Sequence, residues 1–226
     1  QGFTALLLDQ GNGSWLLKAN VLLNPTAQLV VTSATIKELR LESILGNFIN
    51  ITAQRGGYLL IDGIKLTSWD SAANTVDQNT TDGRSYLIAQ EGGRMDISNS
   101  EIAYLGWGAN EVSGLIWRKR LNPVEPTTGA TGTVQNNDIH DNYYGLFAAG
   151  AYGLQVAGNQ VHNNLGYGIA VRDSAENLKV AGNNIYANGD NGIVLGRLAQ
   201  NNQVQDNQVH DHVLDGIALE QGATNN

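Results

Sequence analysis

Basic side chains are scarce in the second half of this chain, and their placement is the first hint of chemistry. After Arg120 there are three: Arg172, Lys179 and Arg197. In a protein of net charge −8, arginines gathered on one surface would suit a polyanion, because the planar fork bonds a carboxylate bidentately. The competing assignment pairs them with nearby acids such as Asp173 and Glu220. Four histidines, His140, His162, His210 and His212, are the other titratable candidates. The chain has no cysteine, which excludes a thiol nucleophile, a thiolate zinc site and a disulfide scaffold. The acidic balance argues against nucleic acid as partner, and no run of 18 apolar residues offers a membrane span.

The elements that position these residues emerge from a repeat. The 226 residues include 27 glycines and 26 asparagines, two types that tolerate the left-handed backbone of tight turns. Val134-Gln-Asn-Asn-Asp-Ile-His-Asp-Asn142 recurs as Val156-Ala-Gly-Asn-Gln-Val-His-Asn-Asn164. It returns as Val180-Ala-Gly-Asn-Asn-Ile-Tyr-Ala-Asn188 and Val204-Gln-Asp-Asn-Gln-Val-His-Asp-His212. The valines are 22, 24 and 24 residues apart, and Asn137, Asn159, Asn183 and Asn207 hold one slot. Such a period marks a solenoid. Short apolar pieces between Asn/Gly turns are strand chemistry, without the amphipathic stretches a helical repeat needs. The fold class is therefore all-β, a single-stranded parallel β-helix of roughly 24 residues per coil, with the turn asparagines stacked in a ladder.

One domain covers 1–226, comprising worn coils over 1–118, a loop over 119–131 and regular repeats over 132–226. Ile61 with Leu66, and Ile97 with Ile102, keep the five-residue inward spacing of the later blocks. The pattern breaks from Trp69 to Tyr86 and from Lys119 to Thr131, the second break holding Pro123 and Pro126. The chain ends at Asn225-Asn226, where another coil would start, as a piece of a longer protein would.

Strand alternation allows one face to be read in columns. Counting from the repeat glycines, Ile169 and Val171, Ile193 and Leu195, and Ile217 and Leu219 point inward. The outward plus-four column reads Arg118, Ala149, Arg172, Gly196, Glu220, with Lys119, Arg120 and Arg197 just beyond it. The outward plus-two column, Ile116, Phe147, Ala170, Val194, Ala218, is apolar. It offers a platform for sugar rings with Phe147 as the stacking surface, a seat for the 119–131 loop, or a contact for self-association. His140, His162 and His210 share a repeat slot and serve the turn in preference to chemistry, with no carboxylate column aligned on them. No metal and no cofactor is expected.

Three stretches then resemble a known family: Thr67-Ser-Trp-Asp70, Asp82-Gly-Arg-Ser-Tyr86 and Gly93-Arg-Met-Asp-Ile-Ser-Asn-Ser-Glu-Ile-Ala-Tyr-Leu-Gly106. With Tyr144-Gly145 and Tyr167-Gly-Ile, they are similar to mannuronan C5-epimerase-like right-handed parallel β-helix proteins. The resemblance implies a right-handed coil, an extracellular or periplasmic location, and an anionic polyuronate as partner. It implies inversion of carbon 5, which needs a group to neutralise the carboxylate, a base and an acid. The family's Tyr-Gly-(Phe/Ile)-Asp-Pro-His-Asp signature falls on Tyr167-Gly168-Ile169-Ala170-Val171-Arg172-Asp173. Tyrosine, glycine and the last aspartate match, while Arg172 stands where the histidine belongs. Arginine is a poor base because it stays protonated.

The resemblance thus points to Tyr167, Arg172, Asp173 and Arg197 as catalytic candidates, with Arg118, Lys119, Phe147 and Glu220 as candidates for binding substrate. It leaves open an epimerase, a lyase that expels the carbon-4 oxygen, a glycan-binding module without turnover, and a structural β-helix with an apolar contact face.

Overall fold

The computed structural model describes residues 6–109, 112–120 and 128–226. Strands follow one another around a coil and pair in parallel with the equivalent strands of the coils on either side, forming three sheets along the axis. Sheet 1 runs through Ser14–Leu17, Glu38–Ile44, Lys65–Asp70, Glu101–Ala103, Asp138–His140, Gln160–His162, Asn184–Tyr186 and Gln208–His210. Sheet 2 stacks Val21–Leu23, Asn50–Gln54, Tyr86–Gln90, Gly114–Arg118, Tyr144–Ala149, Ile169–Arg172, Ile193–Leu195 and Ile217–Leu219. Sheet 3 stacks Gln28–Thr32, Tyr58–Asp62, Arg94–Ser98, Thr131–Gln135, Gln155–Ala157, Lys179–Ala181 and Gln203–Gln205. The antiparallel pairs are local, as where Thr75 and Val76 fold back on Asp70 and Trp69. That hairpin is the insertion read as a break after Trp69.

The interior is built from the columns predicted. Val31, Ile61, Ile97, Val134, Val156, Val180 and Val204 are in register in sheet 3. Leu39, Leu66, Ile102, Ile139, Val161, Ile185 and Val209 face them from sheet 1. Subtracting residue numbers along the first column gives coils of 30, 36 and 37 residues, then 22, 24 and 24. The period of roughly 24 therefore belongs to the C-terminal coils, and the earlier ones carry insertions. Most of the expected 119–131 loop lies outside the described residues, and Thr131 already begins a strand.

In the coils from Asn137 onward, two turns per coil are closed by asparagine. Asn137 Nδ2 donates to Asn159 Oδ1 at 2.9 Å, Asn159 to Asn183 at 2.9 Å, and Asn183 to Asn207 at 2.9 Å. Each Oδ1 also accepts the backbone N–H of the preceding rung, and each Nδ2 also reaches a carbonyl. A second ladder runs through Asn142, Asn164 and Asn188. Polar groups that would otherwise be buried unpaired are satisfied coil by coil.

The repeat glycines do two jobs. Gly158 and Gly182 take the left-handed turn conformation, as do Asn136, Asp141 and Asn163, whereas Gly145, Gly168 and Gly192 are absent from the positive-φ positions. A Cβ on Gly168 would come within 2.6 Å of the Gly192 carbonyl oxygen and 2.8 Å of an Ile185 methyl. The glycine is there for close stacking between coils, not for a left-handed turn.

Candidate functional site

The outer face of sheet 2 carries the columns singled out above, and the register confirms their alignment. Gln90 pairs with Arg118, Arg118 with Ala149, and Ala149 with Arg172. Arg118 and Arg172 are thus two coils apart, about 10 Å at the usual strand spacing. On the N-terminal side of these strands stands a wall of aromatic rings. Tyr144 lies 4.8 Å from Tyr143, 4.9 Å from Tyr167 and 5.9 Å from Phe147 between centroids. Burial pushes the Tyr144 phenol up to about 12, with the neighbouring tyrosines adding to the shift, so Tyr144 stays a neutral wall residue. Arg84, 2% exposed, fixes the corner from which this wall rises. It donates to the carbonyls of Gly106, Leu105 and Asp141, and burial pulls its own pKa down to about 10.

Arg172 is the centre of the face. Its guanidinium lies over the Tyr167 ring at 4.9 Å, and Nη2 donates to the Tyr167 hydroxyl at 3.3 Å and to Glu220 Oε2 at 2.8 Å. Its side chain is 13% exposed, and Nε is buried without a partner. Glu220 reaches it from two coils away, across Gly196. Asp173, in the left-handed region at φ 54°, turns its carboxylate away from this cluster toward Arg197, 3.6 Å distant. Both partners of that second pair are well exposed, and such pairs contribute little. Arg118 donates to Gln90 Oε1 from Nε at 3.0 Å and from Nη2 at 2.7 Å. Lys119 is exposed, and Phe147 is half-buried against Tyr144.

The structure therefore brings Tyr167, Arg172 and Glu220 into contact. It sets Asp173 and Arg197 together just outside them, and leaves Arg118 and Lys119 two coils away. The pairing of arginines with Glu220 and Asp173, one of the two alternatives read from the sequence, is the arrangement found.

Two expectations are corrected. The apolar column is not a continuous open platform, because Ile116, Ala170 and Val194 are fully buried while Phe147 is half-buried, and most of the loop expected to seat on it lies outside the described residues. Beside Ala170, Tyr167 and Arg172 meet. An apolar contact for self-association thus loses its surface there. The histidines, for their part, do have carboxylates aligned on them. His162 Nε2 lies 2.8 Å from Asp138 Oδ1, and His140 lies 2.8 Å from Asp141 and 3.5 Å from Glu101. Parallel pairing puts Glu101 beside Asp138 and in line with the imidazole of the next coil, an offset invisible within any single block.

These imidazoles form a stack on the outer face of sheet 1. His140, His162, Tyr186 and His210 lie 5.2, 4.7 and 5.4 Å apart with planes within 9° of parallel. Among the described residues, no group of three or more His, Asp or Glu is arranged to hold a metal ion. Among the same described residues, no helix is long and apolar enough to cross a membrane. The sequence reading missed the Tyr143–Tyr144 wall, whose signal was the doubled aromatic just before Gly145.

A family described as "Right handed beta helix region" matches residues 62–226. The mannuronan C5-epimerase AlgG of Azotobacter vinelandii is 27% identical over 173 residues, covering 73% of this chain and 31% of that protein. A mannuronan C5-epimerase of Pseudomonas aeruginosa is 27% identical over 143 residues, 61% of this chain and 26% of its own length. The crystal structure of the periplasmic alginate epimerase AlgG superposes with a TM-score of 0.86 at 22% identity, over 95% of this chain and 51% of that one. The chain spans under a third of the curated relatives it matches, and about half of that solved structure.

Proposed function

Because the chain belongs to the right-handed β-helix family, we propose that the outer face of sheet 2 is the working face and that it takes an anionic polyuronate of the alginate type. The observation that carries this reading is the Tyr167–Arg172 contact at 3.3 Å on that face, at the position where the family signature falls. Relatives of this sequence are mannuronan C5-epimerases, and the superposed structure is a periplasmic alginate epimerase. We place this chain likewise in the periplasm or outside the cell.

The chemistry follows from the residue types. A uronate carboxylate needs a fixed cation, and the Arg172 guanidinium supplies one. Removing the carbon-5 proton builds negative charge on the sugar, which a guanidinium already in place stabilises. Tyr167 is the group beside it that can exchange a proton. Asp173 and Arg197 flank the centre. Arg118, Lys119 and Phe147 lie where further sugar units of a chain running along the axis would pass. Return of the proton to the opposite face gives epimerisation, and loss of the carbon-4 oxygen gives a lyase.

A second reading, glycan binding without turnover, is favoured by two observations. Arg172 replaces the imidazole that would serve as base, and its guanidinium is already paired with Glu220. Incubation with polymannuronate in deuterated water separates the cases. Deuterium at carbon 5 supports epimerisation, and absorbance from unsaturated ends supports a lyase. Binding without either signal leaves the binding module, and no binding overturns the polyuronate reading.

A further inference from the structure

We propose that Glu220 is a specificity-determining residue: its carboxylate occupies the seat on Arg172 that a uronate carboxylate takes, and binding of an acidic sugar displaces it. This rests on the polyuronate reading and adds a competitor built into the chain.

The arrangement depends on three residues of one column. Arg172, Gly196 and Glu220 belong to successive coils, so Glu220 must lean across the intervening strand to reach the guanidinium. It can do so because Gly196 has no side chain. A Cβ at Gly196 would lie 3.2 Å from the Glu220 Cβ and 3.4 Å from Oε2. Any larger residue would occupy the path of the bridge. Gly196 is not among the positive-φ glycines, so backbone conformation does not require glycine at this position. The space it leaves is used by Glu220.

The bridge is also incomplete in a way that suits exchange. Glu220 is held through Nη2 alone, at 2.8 Å, while Nε of the same fork is buried and unpaired. A guanidinium edge offers two parallel donors to a carboxylate, and here only one is used. A uronate that places both oxygens on the Nε–Nη2 edge would satisfy the orphan donor as well. Glu220 can yield at little cost, since its side chain is 33% exposed and is held on Arg172 by a single hydrogen bond. The polymer is a row of carboxylates, so it also repels Glu220 from the face it occupies. A neutral glycan has no group to exchange for Glu220, and the bridge stays closed against it. The pair thereby favours acidic over neutral chains while limiting affinity for the acidic ones.

The test is calorimetric titration of the whole chain with a mannuronate hexasaccharide and with a neutral mannose hexasaccharide, for wild type, Glu220→Gln and Gly196→Ala. Glu220→Gln removes the competing charge and keeps the shape. The expected result is mannuronate binding tightened on the order of 3- to 10-fold, with no gain for the neutral sugar. Gly196→Ala keeps the charge but crowds the bridge, and is expected to tighten mannuronate binding by a smaller factor; it serves the same purpose if Glu220→Gln does not fold. Mannuronate binding by wild type with no tightening in either folded variant overturns the role of Glu220 and leaves the polyuronate reading standing. Equal tightening for both sugars overturns it too. Failure of all three proteins to bind mannuronate overturns the polyuronate reading, and this inference with it.

Discussion

Two outer faces of the same solenoid have opposite character. On sheet 1, four rings stack in one slot on successive coils, His140, His162, Tyr186 and His210, each covered by the next. On sheet 2, the corresponding column reads Arg118, Ala149, Arg172, Gly196, Glu220, with no residue repeated next to itself. A slot that repeats is satisfied by its own copies, since each coil offers the next what it needs. A slot that changes from coil to coil cannot be satisfied that way, and its side chains must find partners across the face. The contrast teaches that in a solenoid repetition marks scaffold, and broken repetition marks the surface with specific work.

The largest effect expected under this contrast is inside the scaffold. Asn159 accepts from the backbone N–H and the side chain of Asn137, and donates to Val134 O and Asn183 Oδ1. Asn159→Ala leaves those buried partners unsatisfied, at a cost of about 3–5 kcal/mol. Urea denaturation followed by circular dichroism should show it. A loss under 1 kcal/mol would mean that the ladder is decoration.

Next in size is the loss at the centre of sheet 2. Arg172→Ala removes a charged donor from Tyr167 and from any bound uronate, and leaves Glu220 on the face as an uncompensated acid. Polyuronate binding should weaken by about 1.5–3 kcal/mol, roughly 10- to 100-fold, with little change in thermal midpoint. Unchanged binding, measured by calorimetry, would move the working face elsewhere.

The sheet 1 stack should behave in the reverse way. His162 is packed between His140 and Tyr186 and bonds Asp138. His162→Ala opens a gap in the stack and should cost about 1–2 kcal/mol of stability, with glycan affinity unaltered. Weakened glycan binding in this variant, with the fold intact, would break the comparison between the two faces.

How much of this could be read from sequence follows the same division. The inward columns and the ladder through Asn137, Asn159, Asn183 and Asn207 were legible because every coil repeats them. The second ladder, at Asn142, Asn164 and Asn188, is a less uniform signal because His212 takes the fourth position of its slot. The Arg172–Glu220 bridge was nameable as an alternative but not decidable, since it depends on a side chain crossing an intervening coil. Burial of Ile116, Ala170 and Val194 was one of the alternatives and was not decidable for a related reason. Alternation tells which way a residue points, whereas its exposure depends on neighbours such as Tyr167 and Arg172. The alignment of Asp138 with His162 likewise joins different slots of different coils, which no single block displays.

The smallest expected effect lies where the two kinds of slot meet. His212 occupies the place in the second ladder that Asn142, Asn164 and Asn188 fill in earlier coils. It imitates them: Nδ1 accepts the Asn188 backbone N–H at 3.2 Å, and Nε2 donates to Ile185 O at 3.2 Å. That pattern requires the neutral ring, because a protonated Nδ1 cannot accept. Burial, the largest cause, lowers the His212 pKa from its ordinary 6.5. Below pH 6.5 the unfolded chain takes up a proton that the folded chain resists. The contribution is therefore complete above that value and is lost as pH falls through the lower, folded one. His212→Asn supplies the same acceptor and donor without a titrating group. Stability measured from pH 7.5 down to 5 should fall less steeply in this variant than in the wild type. An identical slope in both would show that the rung at His212 is insensitive to the charge it carries.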